Sequence, residues 1–141
     1  MDQAAFYEFL SGYRYGVVSS VASDGSPQSA LVGIAITPKL EIIFDTVKAT
    51  RKYPNLIARP RCSLVIGWGG EQTVQYEGLA YEPEGDALEQ FQELYFKTWP
   101  DGPTRLSWPG IVLMAVKPVW LRYSDFLSMP PHVAELRLAQ S

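Results

Sequence analysis

Between Gly16 and Tyr123 the chain falls into six or so short runs rich in β-branched and small apolar residues, most of them closed by a turn signal. This spacing is the strongest constraint on the fold. Residues 16–22 (GVVSSVA) read as a strand, ended by Ser23-Asp24-Gly25-Ser26-Pro27, where Asp-Gly suits a positive φ. Residues 28–36 (QSALVGIAI) read as a second strand, turned by Thr37-Pro38-Lys39, and residues 40–45 (LEIIFD) as a third. Two successive hairpins imply an antiparallel meander. Residues 62–68 and 73–81 add two strands across a Gly69-Gly70-Glu71 turn. Residues 111–117 and 119–123 add a last strand, bent at Pro118, and the tail from Ser124 is expected to pack over the body and then fray. So many short strands would expose many edges, and closing them into a barrel removes those edges.

Helical spacing appears in three places. Phe6, Phe9, Leu10 and Tyr13 share one face of an N-terminal helix. A short helix is expected from Thr50 to about Ala58, with Thr50 as its cap and Pro54 one turn in, where proline is tolerated. Asp86 and Glu89 form a capping-box pattern ahead of Leu88, Phe91, Leu94 and Tyr95, which predicts a helix over 86–97. Residues 98–109 (TWPDGPTRLSWP) read as a rigid loop. The expected class is α+β, mainly β: an antiparallel barrel with short flanking helices. A length of 141 residues fits one domain spanning 1–141.

Composition excludes several functions. The net charge of −3 and a sequence pI near 5.1 argue against bulk attraction to nucleic acid or an anionic membrane. No apolar run reaches membrane-spanning length, and Asp2, Glu8 and Arg14 interrupt the start, so a cytoplasmic location is expected. The lone Cys62, in the apolar run CSLVIGW, reads as a small buried hydrophobe. The lone His132 leaves almost nothing from which to build a metal site or a histidine-based triad, and no metal is expected. No pair of carboxylates sits in an apolar setting that would suit acid–base work.

One stretch departs from this acidic background. From Lys48 to Arg61 there are five basic residues (Lys48, Arg51, Lys52, Arg59, Arg61) and no acidic one, whereas the other seven basic residues face fifteen acidic ones. Arg51 and Lys52 stand at a helix start, where free N–H groups and the dipole favour an anion. The Thr46 and Thr50 hydroxyls lie close by in sequence. Charged hydrogen bonds contribute roughly 1.5–3 kcal/mol each, too little for micromolar binding, about −8 kcal/mol, once immobilisation is subtracted. Burying roughly 200 Å² of aromatic ring at about 25 cal/mol per Å² adds some 5 kcal/mol. The ligand expected is therefore a phosphate joined to a flat apolar body.

The order of elements and three phrases resemble the pyridoxamine 5′-phosphate oxidase-like family of FMN-binding split barrels. The first is a D-G-x-P turn (Asp24, Gly25, Pro27) leading into SALVGIA. The second is Phe44 and Thr46, then Thr50-Arg51-Lys52, Asn55, Pro60-Arg61 and Ser63-Leu64. The third is Gln72-Thr73 running into Glu77-Gly78 and Ala80. The match covers residues 6–81, and its middle phrase is the most specific. The resemblance implies a Greek-key split barrel, a homodimer, and FMN in clefts at the subunit interface. By position, Arg51 and Lys52 would hold the FMN phosphate with Thr46 and Thr50. Ala30, Leu31 and Val32 would run along the isoalloxazine with Asp45 beside it, and Gln72 and Thr73 would reach the ring from the other subunit.

The chain also departs from the true oxidase. Ala30 stands where the oxidase has a basic residue, Ala35 stands where it has a substrate-contacting lysine, and its C-terminal Arg/His phrase has no counterpart around His132. FMN binding is therefore expected without oxidation of pyridoxamine phosphate. No residue is assigned a catalytic role, and the donor and acceptor stay open. A non-catalytic electron carrier remains open, as does the same fold holding the deazaflavin F420 or haem, for which His132 is a poor axial ligand. Trp99, Trp108 and Trp120 suit either packing or a substrate cleft, and Arg122 suits a surface ion pair.

Overall fold

In the computed structural model, which describes residues 1–140, the run read as one strand over 28–36 is broken at Ile34, and the break organises the sheet. The helices are α1 (Gln3–Ser11), α2 (Lys52–Ala58) and α3 (Gly85–Thr98). The strands are β1 (Tyr15–Val21), β2 (Pro27–Gly33), β3 (Ala35–Ile36), β4 (Ile42–Val47), β5 (Arg61–Ile66), β6 (Gln72–Tyr81), β7 (Ile111–Asp125) and β8 (His132–Arg137). All pairings are antiparallel, in the order β2-β1-β5-β6-β7-β4-β3, with β8 added to β7. The two ends of that order, β2 and β3, are consecutive in the chain. The sheet therefore curls until its ends meet at Gly33–Ile34, which gives a split antiparallel barrel of mainly β class. The Ile34 N–H is turned to the Arg14 carbonyl at 2.8 Å, so the break leaves no orphan donor there.

Side-chain alternation decides what fills the barrel. Val18, Ile42, Phe44, Leu64, Ile66, Val74, Tyr76, Met114 and Leu121 point inward, and α1 adds Phe6 and Leu10 to the same cluster. On the other side of β3 and β4, Ala35, Ile43 and Leu113 meet Tyr95 of α3 in a second cluster. The outer face of the remaining strands stays open: register places Leu31, Val17 and Val65 in one transverse row, with Leu31 64% and Val65 43% exposed. No described helix is long and apolar enough to cross a membrane.

The bend expected at Pro118 is a β-bulge. Glu77 pairs with Trp120 and Gly78 with Pro118, so Val119 is the extra residue in β7. A bulge is where a sheet can accept a proline that donates nothing to the ladder. Gly25 takes φ +87° in the Asp-Gly turn, and the Asp24 carboxylate accepts the Ser26 N–H at 3.0 Å.

Several expectations fail locally. The tail does not fray after Ser124: β7 continues to Asp125, and β8 turns back to pair with it along six residues. Thr50 does not cap α2, because its hydroxyl donates back to the Val47 carbonyl at 2.8 Å; the helix starts at Lys52 after Arg51. The capping box is not made either. Glu84 is the extended residue before α3, which leaves Asp86 two positions too deep to cap. The loop over 98–109 contains a 3₁₀ segment at Gly102–Ser107.

Candidate functional site

A cleft of about 180 Å³ opens where edge strand β2 and its neighbour β1 meet the start of α2. Ala30, Gln28 and Ser29 form one wall, Val18 and Ser20 the floor, and Thr50, Arg51 and Lys52 the opposite rim. Asn55 builds this junction. Its buried amide donates to Ser20 Oγ at 3.1 Å and Gln28 Oε1 at 2.9 Å, tying α2 to both strands. A buried amide with its partners in place fixes geometry, since breaking such a bond leaves a desolvated group.

The cations face this cleft without ion-pair partners among the described residues. Burial pushes the Lys52 ammonium below the ordinary lysine range, and the Asp45 carboxylate partly opposes that shift. Such a half-buried, unpaired ammonium gains from an incoming anion. The two hydroxyls act differently. Thr50 donates to Val47 and lies 3.1 Å from Thr46 Oγ1, so both protons are spent holding the turn between β4 and α2. Because α2 has only seven residues, its dipole is a minor contributor beside the two cations.

Four of the ten residues expected to bind cofactor, Ala30, Thr50, Arg51 and Lys52, thus line one cleft, and Thr46 buttresses it from below. Val32 is buried in the core, and Leu31 projects from the opposite face of β2. The Asp45 side chain turns towards α3. There its Oδ1 meets the Tyr95 hydroxyl at 3.2 Å, and its Oδ2 accepts Arg105 Nε at 2.7 Å. Gln72 and Thr73 lie elsewhere, at the start of β6 beside Asp125 and Ser124. Thr73 Oγ1 is buried without a partner and borders an outer-face groove of about 330 Å³ with Ser63, Glu77 and Trp120.

Sequence reasoning missed Ser20 and Gln28. The available signal was a serine at an inward position of β1, one step from Val18. It also missed Tyr95 and Arg105, for which no local pattern exists. Trp99 is a packing residue: its Nε1–H donates to the Ile34 carbonyl at 3.0 Å, and Arg14 stacks 4.1 Å over its ring. Arg122 forms the surface ion pair expected of it, with Glu135. Cys62 is buried, and burial pushes its thiol up to about 12.

Comparison with solved structures supports this architecture. The chain is similar to a haem-binding protein from Mycobacterium smegmatis (TM-score 0.83, 14% identity), covering 97% of this chain but only 58% of that one. It is also similar to general stress protein 26 from Bacillus anthracis (TM-score 0.70, 24% identity, 96% of each chain). A third is a pyridoxamine 5′-phosphate oxidase-related, FMN-binding protein from Nostoc punctiforme (TM-score 0.65, 12% identity), with 98% of this chain and 93% of that one covered. At these identities the likeness shows the fold. Among curated proteins no sequence matches the chain significantly. The family described as pyridoxamine 5′-phosphate oxidase matches residues 3–125, nearly the whole of the barrel, and the chain belongs to that family.

Proposed function

We propose that the protein is an FMN-binding oxidoreductase that works as a homodimer and does not act on pyridoxamine phosphate. The observation that carries this reading is the convergence of Arg51 and half-buried Lys52, both without ion pairs among the described residues, on a cleft walled by Ala30. Arg51 and Lys52 would bind the phosphate, and Asn55, Thr46 and Thr50 would keep the cradle rigid. Bound FMN would supply the redox chemistry at its ring, while the protein supplies placement and polarity.

The cleft is too small for a whole flavin, so the ring would extend out of it past the free edge of β2, beyond which lies the open outer face that carries Leu31. The apolar row of Leu31, Val17 and Val65 on that face suits a second copy of the chain. Such a copy would bring in the unpartnered Thr73 hydroxyl together with Gln72. Buried Ala35, 4% exposed at the place of the oxidase lysine, supports the loss of pyridoxamine phosphate as substrate. The FMN-binding relative from Nostoc punctiforme supports the cofactor. The haem-binding relative supports a competing ligand, but His132 is exposed and set edge-on to Tyr123, outside this cleft.

The test is to purify the protein, measure its mass in solution, and identify any ligand released on denaturation by mass and absorbance. The ligand-free dimer is then titrated with FMN, F420 and haemin, and pyridoxal phosphate formation is assayed. Stoichiometric FMN on a dimer, without that product, is expected. Preference for F420 or haemin, refusal of all three, or turnover of pyridoxamine phosphate would each overturn the corresponding part.

A further inference from the structure

We propose that Tyr95, acting through Asp45, is a positioning residue that sets the spacing between β2, at the barrel's split, and β4, and so between ring wall and phosphate cradle. The proposal rests on the flavin reading above. The rims of the split are β2, which pairs with β1, and the two-residue β3, which follows β2 across Ile34 and pairs with β4; β2 and β4 share no backbone ladder of their own. That short β3 hairpin is the backbone link from β2 to β4, and Tyr95 adds a side-chain tie between them. It is 1% exposed, and its hydroxyl lies 3.1 Å from the Gly33 carbonyl of β2 and 3.2 Å from Asp45 Oδ1 of β4.

One phenolic proton is shared between these acceptors, so the hydroxyl senses both strands at once. Asp45 cannot swing away, because its second oxygen accepts Arg105 Nε, and Arg105 is held in turn by Asp101 at 2.9 Å. The C-terminal end of α3 grips the same break in the chain. Trp99 holds the Ile34 carbonyl, and a Cβ on Gly33 would lie 2.7 Å from the Trp99 ring, so glycine is required there. Arg14 stacks on Trp99 and donates to the Thr98 carbonyl at 2.8 Å. The hydroxyl keeps its proton throughout the ordinary pH range, since burial first and the Asp45 charge second both raise its pKa.

The consequence follows from the chain path. Gly33 lies three residues from Ala30, about 10 Å along β2. Asp45 precedes Thr46, the support of the turn that carries Arg51 and Lys52. Moving β2 against β4 would leave the cradle intact but put the ring wall out of register with it. Tyr95 therefore works beside Asn55, which ties α2 to β1 and β2, in fixing how well phosphate and ring are satisfied together, with no contact to the phosphate.

The experiment compares Tyr95→Phe and Asp45→Asn with wild type. Tyr95→Phe should weaken FMN binding roughly five- to tenfold, the size of one net hydrogen bond, and leave affinity for inorganic phosphate at the Arg51 and Lys52 amides unchanged. Asp45→Asn keeps an acceptor for Tyr95 but loosens Arg105, so it should shift the FMN-to-phosphate ratio in the same direction by less. In the ligand-free protein, amide exchange at Gly33, Ile34 and Thr46 should quicken in Tyr95→Phe. Unchanged exchange at these amides overturns the proposal, as does an equal loss of FMN and phosphate affinity, which is the mark of a merely destabilised fold. A wild-type protein that takes no FMN defeats the flavin reading instead, and the positioning role then stands or falls on the exchange rates.

Discussion

Replacing Arg51 and Lys52 together by alanine separates ligand binding from folding. Neither side chain makes a hydrogen bond or ion pair among the described residues. Alanine at these positions therefore removes no side-chain hydrogen bond or ion pair among the described residues, and stability should hold within about 0.5 kcal/mol. On the bound side, each cation loses a charge-assisted bond to phosphate. Because Arg51 is exposed and Lys52 only partly covered, the low end of the range applies, about 1.5 kcal/mol each. Together that is about 3 kcal/mol, or roughly a hundredfold in Kd. Half-buried Lys52 should account for the larger share, which the single variants can apportion. The assay is fluorescence titration of the ligand-free protein with FMN at fixed ionic strength, beside urea unfolding of the same samples. A folded double variant with affinity within twofold of wild type would refute the cradle.

FMN affinity should depend on pH in two steps: it should rise through about pH 6 as the phosphate takes its second charge. It should then fall as Lys52 loses its proton, earlier than an ordinary lysine would because burial lowers its pKa, and Lys52→Arg should flatten that alkaline fall in a pH-resolved titration. Gly78→Ala should cost about 1–3 kcal/mol in urea unfolding, because the new Cβ would lie 2.5 Å from the Lys117 carbonyl and 2.6 Å from Val116. Gly69→Ala, with open space around it, controls for loss of glycine but leaves stability nearly unchanged. Cys62, buried and with its thiol pushed up to about 12, should resist iodoacetamide at pH 8 until the protein unfolds; stoichiometric labelling of native protein within minutes would contradict its burial.

The sequence made some features of this molecule legible and hid others for identifiable reasons. GVVSSVA carries its partner within a hairpin's length, and LEIIFD alternates enough to read as a strand although its main partner, β7, lies far along the chain, so strands and turns could be read directly. The cleft was legible for the same reason: Thr46, Thr50, Arg51 and Lys52 are neighbours along the chain. The Asp45 contacts were not, because Tyr95 and Arg105 arrive from 50 and 60 residues away and show no periodic signature. β8 was hidden because HVAELR mixes charge with only two inward apolar positions, Ala134 and Leu136, after a pair of prolines. The break at Ile34 was hidden by composition, since QSALVGIAI favours extended backbone throughout, while the change of partner from β1 to β4 is decided by the rest of the sheet.

β7 bonds along its length to β4, β6 and β8, yet it begins only at Ile111. A ribosome must therefore deliver everything ahead of Ile111 before β4 and β6 can find the strand that stands between them. Until then Ile42, Ile43 and Phe44, all fully covered in the finished protein, stay in water on an unpaired edge. The incomplete barrel is thus the stage at which association through exposed edges competes with folding.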